Sequence, residues 1–217
     1  MFIGHFGLAL AAKKAAPRTS LGTTFLATEW IDGLWPIFLL IGIETVKIAP
    51  GDTAFSPLEF TSYPYSHSLL MVCVWGLLLG GLYFAIRRSR RGALVVGLLV
   101  VSHWVLDWFT HRPDLPLMPG GAAREGLGLW NSVTGTLIIE GLIFLIGIAI
   151  YLRTTRAKDR LGTWSFWVLV VLLVGLYLGA AFGAPPPSEN ALAWTALSGW
   201  LFPVWGWWID RHRRAAM

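Results

Sequence analysis

The sequence predicts an all-α, polytopic membrane protein. It reads as a single domain over residues 1–217, a bundle of about six transmembrane helices preceded by an N-terminal half-helix. Three observations predict this. Of 217 residues, 55% are hydrophobic and 13% charged, about half the charged share of a soluble domain. Six apolar runs approach or exceed the roughly 20 residues a helix needs to cross about 30 Å of hydrocarbon. The basic residues fall almost entirely on alternate connections between those runs, the charge pattern of an inserted bundle.

The first element, residues 1–16, is too short to span and reads as a half-helix packed into the bundle or lying in the interface, with Pro17 as its end. Lys13 and Lys14 follow its apolar part instead of preceding it, so it does not read as a secretory signal. The spans are expected at 21–43, 68–86, 93–110, 132–152, 164–182 and 191–209. The first of these is unusual in holding Glu29 and Asp32. The loops at 47–67 and 111–131 are rich in helix breakers, and Pro185 to Pro187 form a stiff connection.

With the N-terminus inside, 14 of the 17 Lys and Arg lie on the inner segments, and only Lys47, Arg112 and Arg124 lie outside. This puts both termini in the cytoplasm of a bacterial-type inner membrane. The net charge of +5 is then a topology signal, the lipid bilayer is the partner, and nucleic acid is not. The single cysteine, Cys73, excludes an intramolecular disulfide. No internal repeat marks the chain as an inverted-repeat transporter.

Ionisable groups in hydrocarbon cost about 2.5–3.5 kcal/mol each on insertion scales and face the bundle interior. His103 and Asp107 share one face of the third span by their i, i+4 spacing, which suits two metal ligands on a helix. His111 follows one turn later, at the rim. His67 opens the second span. At about 1.5 Å rise per residue, Asp32 and a His5 carried upward by the half-helix both approach mid-membrane, and Glu140 lies near the depth of His103. Each residue alone has a plainer reading as a hydrogen-bond partner between helices, and Glu29 reads as a supporting or a structural acid. Together, four of the five histidines and two aspartates form the donor set of zinc, and also of manganese or iron.

The order Gly4-His5, Asp32 ahead of Trp35-Pro36, Ser66-His67-Ser68, and Ser102-His103 with Asp107 four residues on resembles the YdjM-like family of membrane-bound metal-dependent hydrolases. The resemblance covers about residues 1–115, and no later motif matches. The first-span motif differs, since Ile31-Asp32-Gly33 stands where the family tends to show a proline and two aspartates. The resemblance implies a divalent metal, zinc first, held by His5, His67, His103 and Asp107, with Asp32 as ligand or orienter.

A metal-dependent hydrolase follows as the expected function. The metal would make a water acidic enough to act as nucleophile. Glu140 or His111 would move a proton, and Arg112 would neutralise the phosphate of a lipid or isoprenoid phosphoester. No GxSxG, HExxH, Walker or GxGxxG motif offers another catalytic class. Two rivals share the same residues: a metal-ion or proton transporter, and a non-catalytic scaffold whose polar core only fixes helix pairing.

Overall fold

In the structure, a computed structural model that describes residues 1–216, the N-terminal segment forms helix α1 (Ile3–Ala15), buried along nearly its whole length. It packs inside the bundle and does not lie in the interface. The close approach is set by glycine. A Cβ on Gly147 would stand 2.1 Å from the Gly7 carbonyl oxygen, and one on Gly7 would stand 2.7 Å from the Ile143 carbonyl. Only two bare backbones let α1 lie against α7 (Val133–Thr154) at that distance.

Among the described residues, four helices are long and apolar enough to cross a membrane: α5 (Leu69–Arg87), α6 (Arg90–Thr110), α7 and α8 (Arg160–Phe182). Serine or aspartate side chains accept the free N–H groups at their starts: Ser68 from Met71, Ser89 from Gly92, Ser132 from Gly135 and Asp159 from Gly162. Leu77, Val171, Leu94 and Leu201 are left exposed on the outside. Such a continuous apolar surface suits lipid, and the chain is a mostly α-helical polytopic membrane protein.

The two other expected spans are interrupted. Residues 21–43 form α2 (Leu21–Thr28) and α3 (Trp30–Leu40), broken at Glu29. Residues 191–209 fall in α9 (Glu189–Leu197), a 3-10 turn at Ser198–Trp200, and α10 (Leu201–Arg211). Proline contributes to the second break, whereas Pro36 lies inside α3, past the break at Glu29. Pro36 has no N–H for the Asp32 carbonyl. Pro203 sits in the first turn of α10, where a missing N–H costs nothing. The two breaks meet, for the Trp200 indole donates to the Gly33 carbonyl at 3.2 Å and covers Gly33.

The connections at one end are more ordered than loops. Strands β1 (Thr45–Ile48) and β2 (Leu58–Ser62) pair antiparallel, and the short turn α4 (Pro64–His67) follows. The 111–131 segment holds the small pair β3 (Leu115–Pro116) and β4 (Arg124–Glu125). At the opposite end β5 (Thr155–Ala157) pairs with β6 (Arg213–Ala215). That end also joins Thr19 to Tyr83, Lys13 to Asp210, and Arg91 to the Ala15 carbonyl. The four basic segments of the sequence therefore gather at one end of the bundle.

Candidate metal centre

Three elements deliver one set of donors. Asp32 comes from the start of α3, His67 from α4, and His103 and Asp107 from α6. His103 Nε2 lies 3.2 Å from Asp107 Oδ2 and 3.5 Å from Asp32 Oδ1. His67 Nε2 lies 3.2 Å from Asp32 Oδ1 and 3.8 Å from Asp107 Oδ2. Donors placed tetrahedrally at zinc bond lengths would stand about 3.3 Å apart. The four observed separations bracket that value.

His5 joins from α1, on the other oxygen of Asp107. Its Nε2 lies 3.1 Å from Asp107 Oδ1, and its ring stacks on His103 at 3.6 Å between centroids. The Met1 amino group also binds Asp107 Oδ1. Donor atoms of His5, His103 and Asp107, and likewise those of Asp32, His67 and His103, lie within 4.8 Å of one another.

The far sides of two rings are already engaged. His103 Nδ1 donates to the Thr28 carbonyl at 2.5 Å, and His67 Nδ1 lies 2.7 Å from Ser66 Oγ. A ring proton fixed on Nδ1 leaves the Nε2 lone pair for a ligand role. His103 Nε2 is buried and makes no hydrogen bond. Imidazole nitrogens facing carboxylate oxygens at these distances are matched by a ring proton or by a metal cation between them, and the donor set fits a divalent metal.

A cavity of about 230 Å³ reaches the centre. Asp32, His67 and Asp107 line it, and apolar walls come from Phe2, Phe6, Trp35, Phe60, Trp200 and Phe202. Asp32 is the exposed member, with 38% of its side chain accessible against 2% for Asp107. The cavity borders the meeting point of the two broken helices, where Gly33, Gly199 and Pro203 also line it.

The remaining predicted residues divide. His111 lines the same cavity, but it is buried between Phe60 and Trp130 instead of solvated at a rim. Burial holds its imidazole below the ordinary value against an opposing contact, 3.0 Å, from Nδ1 to Asp114. Arg112 is committed elsewhere: Nη1 meets Asp52 at 2.6 Å and Nε meets Asp114 at 3.3 Å. Glu140 accepts from the Phe2 and Gly4 N–H groups at 2.7 and 3.3 Å, so it holds the start of α1. It lines a second cavity, of about 440 Å³, beyond Met1 and Phe2.

Two acids carry more than the sequence suggested. Glu29 lines the cavity of the centre, and one of its carboxylate oxygens is buried without a partner. Glu44, buried in the loop before β1, accepts from the Tyr65 and Ser66 N–H groups at 2.8 Å each and from the Ser66 hydroxyl at 2.6 Å. No spacing rule links it to a histidine 23 residues later, though an acid amid Ile43, Val46 and Ile48 is itself unusual.

The family model described as YdjM inner membrane protein matches residues 64–184. The chain belongs to that family. No curated protein and no solved structure matches it. The YdjM match includes His67, His103 and Asp107 and runs on through all of α7 and α8, further than the motifs legible in the sequence. His5 and Asp32 lie before it.

Proposed function

We propose that this YdjM family member is a membrane-bound, metal-dependent hydrolase acting on a lipid or isoprenoid phosphoester. One observation carries the reading: the His67 and His103 imidazoles, from separate elements, each lie 3.2–3.8 Å from carboxylate oxygens of Asp32 and Asp107, and the exposed member, Asp32, faces an apolar cavity. An amphipathic ester fits that combination, with its polar group at the His/Asp centre and its chain along Phe2, Phe6, Trp200 and Phe202.

His67, His103, Asp32 and Asp107 would hold the metal, with His5 beside Asp107. When bound, a divalent metal such as zinc supplies Lewis-acid charge and brings the pKa of a water down to near 7. Glu29, free at one oxygen on the cavity wall, is better placed than Glu140 to take or return a proton. His111, held by Asp114 and lining the same cavity, would orient the outer end of the ester. On the positive-inside rule the basic end is cytoplasmic, so the centre opens in the outer half of the inner membrane.

The transporter reading has less support. Toward the basic end the interior holds Leu10, Leu21 and Phe25, all fully buried, and the buried hydroxyls beside them, Thr24 and Thr28, donate to carbonyls of their own helix instead of facing a path for an ion. The test is hydrolysis by detergent-purified, metal-loaded protein of a panel of phospholipids and prenyl phosphates. Turnover that disappears in the His103→Ala/Asp107→Ala variant is expected. Intact substrates throughout, with metal bound, would overturn the assignment.

A further inference from the structure

The loop acid Glu44 is tied to His67 by a chain of contacts, Glu44 to Ser66 to His67, and every member is buried. Glu44 Oε1 accepts two backbone N–H groups, from Tyr65 and Ser66. That leaves Oε2 for the Ser66 hydroxyl, 2.6 Å away. A carboxylate only accepts, so Ser66 spends its single proton on Glu44. Ser66 Oγ can then only accept from His67 Nδ1, at 2.7 Å. The Nδ1 nitrogen must carry a proton, and Nε2 is the nitrogen turned toward Asp32 and Asp107.

We propose that Glu44 is a positioning residue that, through Ser66, fixes His67 in the tautomer whose Nε2 is available to a metal. The proposal builds on the metal reading above and adds to it a residue from the loop between α3 and β1. The neighbouring Ser68 acts differently, since its side chain accepts from the Met71 N–H at the start of α5. The two serines that flank His67 are therefore not equivalent.

Glutamine at position 44 separates this role from plain support of the α4 turn. Its amide oxygen must face the two backbone N–H groups, which nothing else can satisfy, so its NH2 falls opposite Ser66 Oγ. The chain then reverses. Ser66 accepts from the amide and donates to His67 Nδ1, and the ring proton moves to Nε2. The turn stays capped while the ligand lone pair is lost.

The experiment uses the full chain in detergent, with Zn²⁺ affinity from chelator competition and the His67 ring state from histidine 15N spectra. Wild type is expected to keep a proton on Nδ1 with or without zinc. Glu44→Gln is expected to move it to Nε2 and to weaken zinc binding about 10- to 100-fold, the usual effect of losing a partner behind a metal ligand. Ser66→Ala should weaken binding similarly, and Ser66→Thr, which keeps the hydroxyl, should restore it. If Glu44→Gln does not fold, the Ser66 pair decides. Zinc binding in these variants within twofold of wild type, or a metal-free wild-type ring with no proton on Nδ1, would overturn the proposal. Absence of zinc binding in wild type would instead strike the metal reading, and the ring spectra would still decide the role of Glu44.

Discussion

Two buried polar groups lie at opposite ends of the bundle, and they are completed differently. At the basic end Arg213 uses every nitrogen. Nε and Nη2 donate to Thr155 Oγ1 at 3.2 and 3.0 Å, Nη1 donates to the Gly162 carbonyl at 2.9 Å, and Tyr151 and Phe166 flank the guanidinium. Among these partners only the Tyr151 hydroxyl goes without a hydrogen bond. At the other end, His103 Nε2, His5 Nδ1 and Glu29 Oε1 are buried with no partner, although carboxylates and imidazoles crowd together there. A buried charge with its donors matched joins elements of the fold, here α7, α8 and the C-terminal strand. A buried set of lone pairs that face each other is costly unless something positive sits among them. The contrast separates a structural network from a site.

The largest expected effect comes from a change that ruins both. Gly147→Leu drives a side chain into the Gly7 backbone, and overpacking of this kind costs about 3 kcal/mol. Thermal unfolding should shift far down, and metal binding should fall as α1 withdraws His5. Unchanged metal affinity would mean that His5 takes no part in the centre.

Arg213→Ala should separate the two regions. Loss of its charged hydrogen bonds should lower stability by about 2 kcal/mol, measured by denaturation in detergent, while metal stoichiometry stays at the wild-type value. Loss of metal from this variant would break the division.

The smallest effect sharpens the same end. Asp159 caps α8 and contacts His212 at 2.8 Å, and these contacts hold its carboxyl below the usual range. A depressed folded value adds stability above the ordinary carboxylate pKa of about 3.9. That contribution is lost as pH falls below it. Asp159→Asn should therefore show a shallower loss of stability below about pH 4 than wild type does. An identical acid profile for the two proteins would mean that the Asp159–His212 contact adds nothing to the stability of this end.

Most of the fold was legible because lipid imposes a simple rule on sequence: spans must be long and apolar. The positions of α5 to α8 follow from that rule within a few residues. The interrupted helices were not legible as such, since Leu21 to Ile43 and Ala191 to Ile209 satisfy the same rule when read by hydropathy alone. Gly199 and Pro203 were the signals of the second interruption, and both line the wall of the cavity. In the centre, ionisable residues out of place in hydrocarbon pointed to His5, Asp32, His67, His103 and Asp107, which the structure brings together. Depth arithmetic fixed the height of Glu140 but not its direction, and α1 lies between it and the centre. Arg112 was assigned to a phosphate by its sign and position, whereas Asp52 and Asp114 hold it. Asp52 comes from a loop that no periodicity connects to α6.

The most direct test is the metal content of the detergent-purified protein, by elemental mass spectrometry, beside the His103→Ala/Asp107→Ala variant, with circular dichroism to show that both are folded. Near one equivalent in the wild type and none in the folded variant is the predicted result. No metal in either protein after loading with zinc, manganese and iron would contradict a metal centre at these residues.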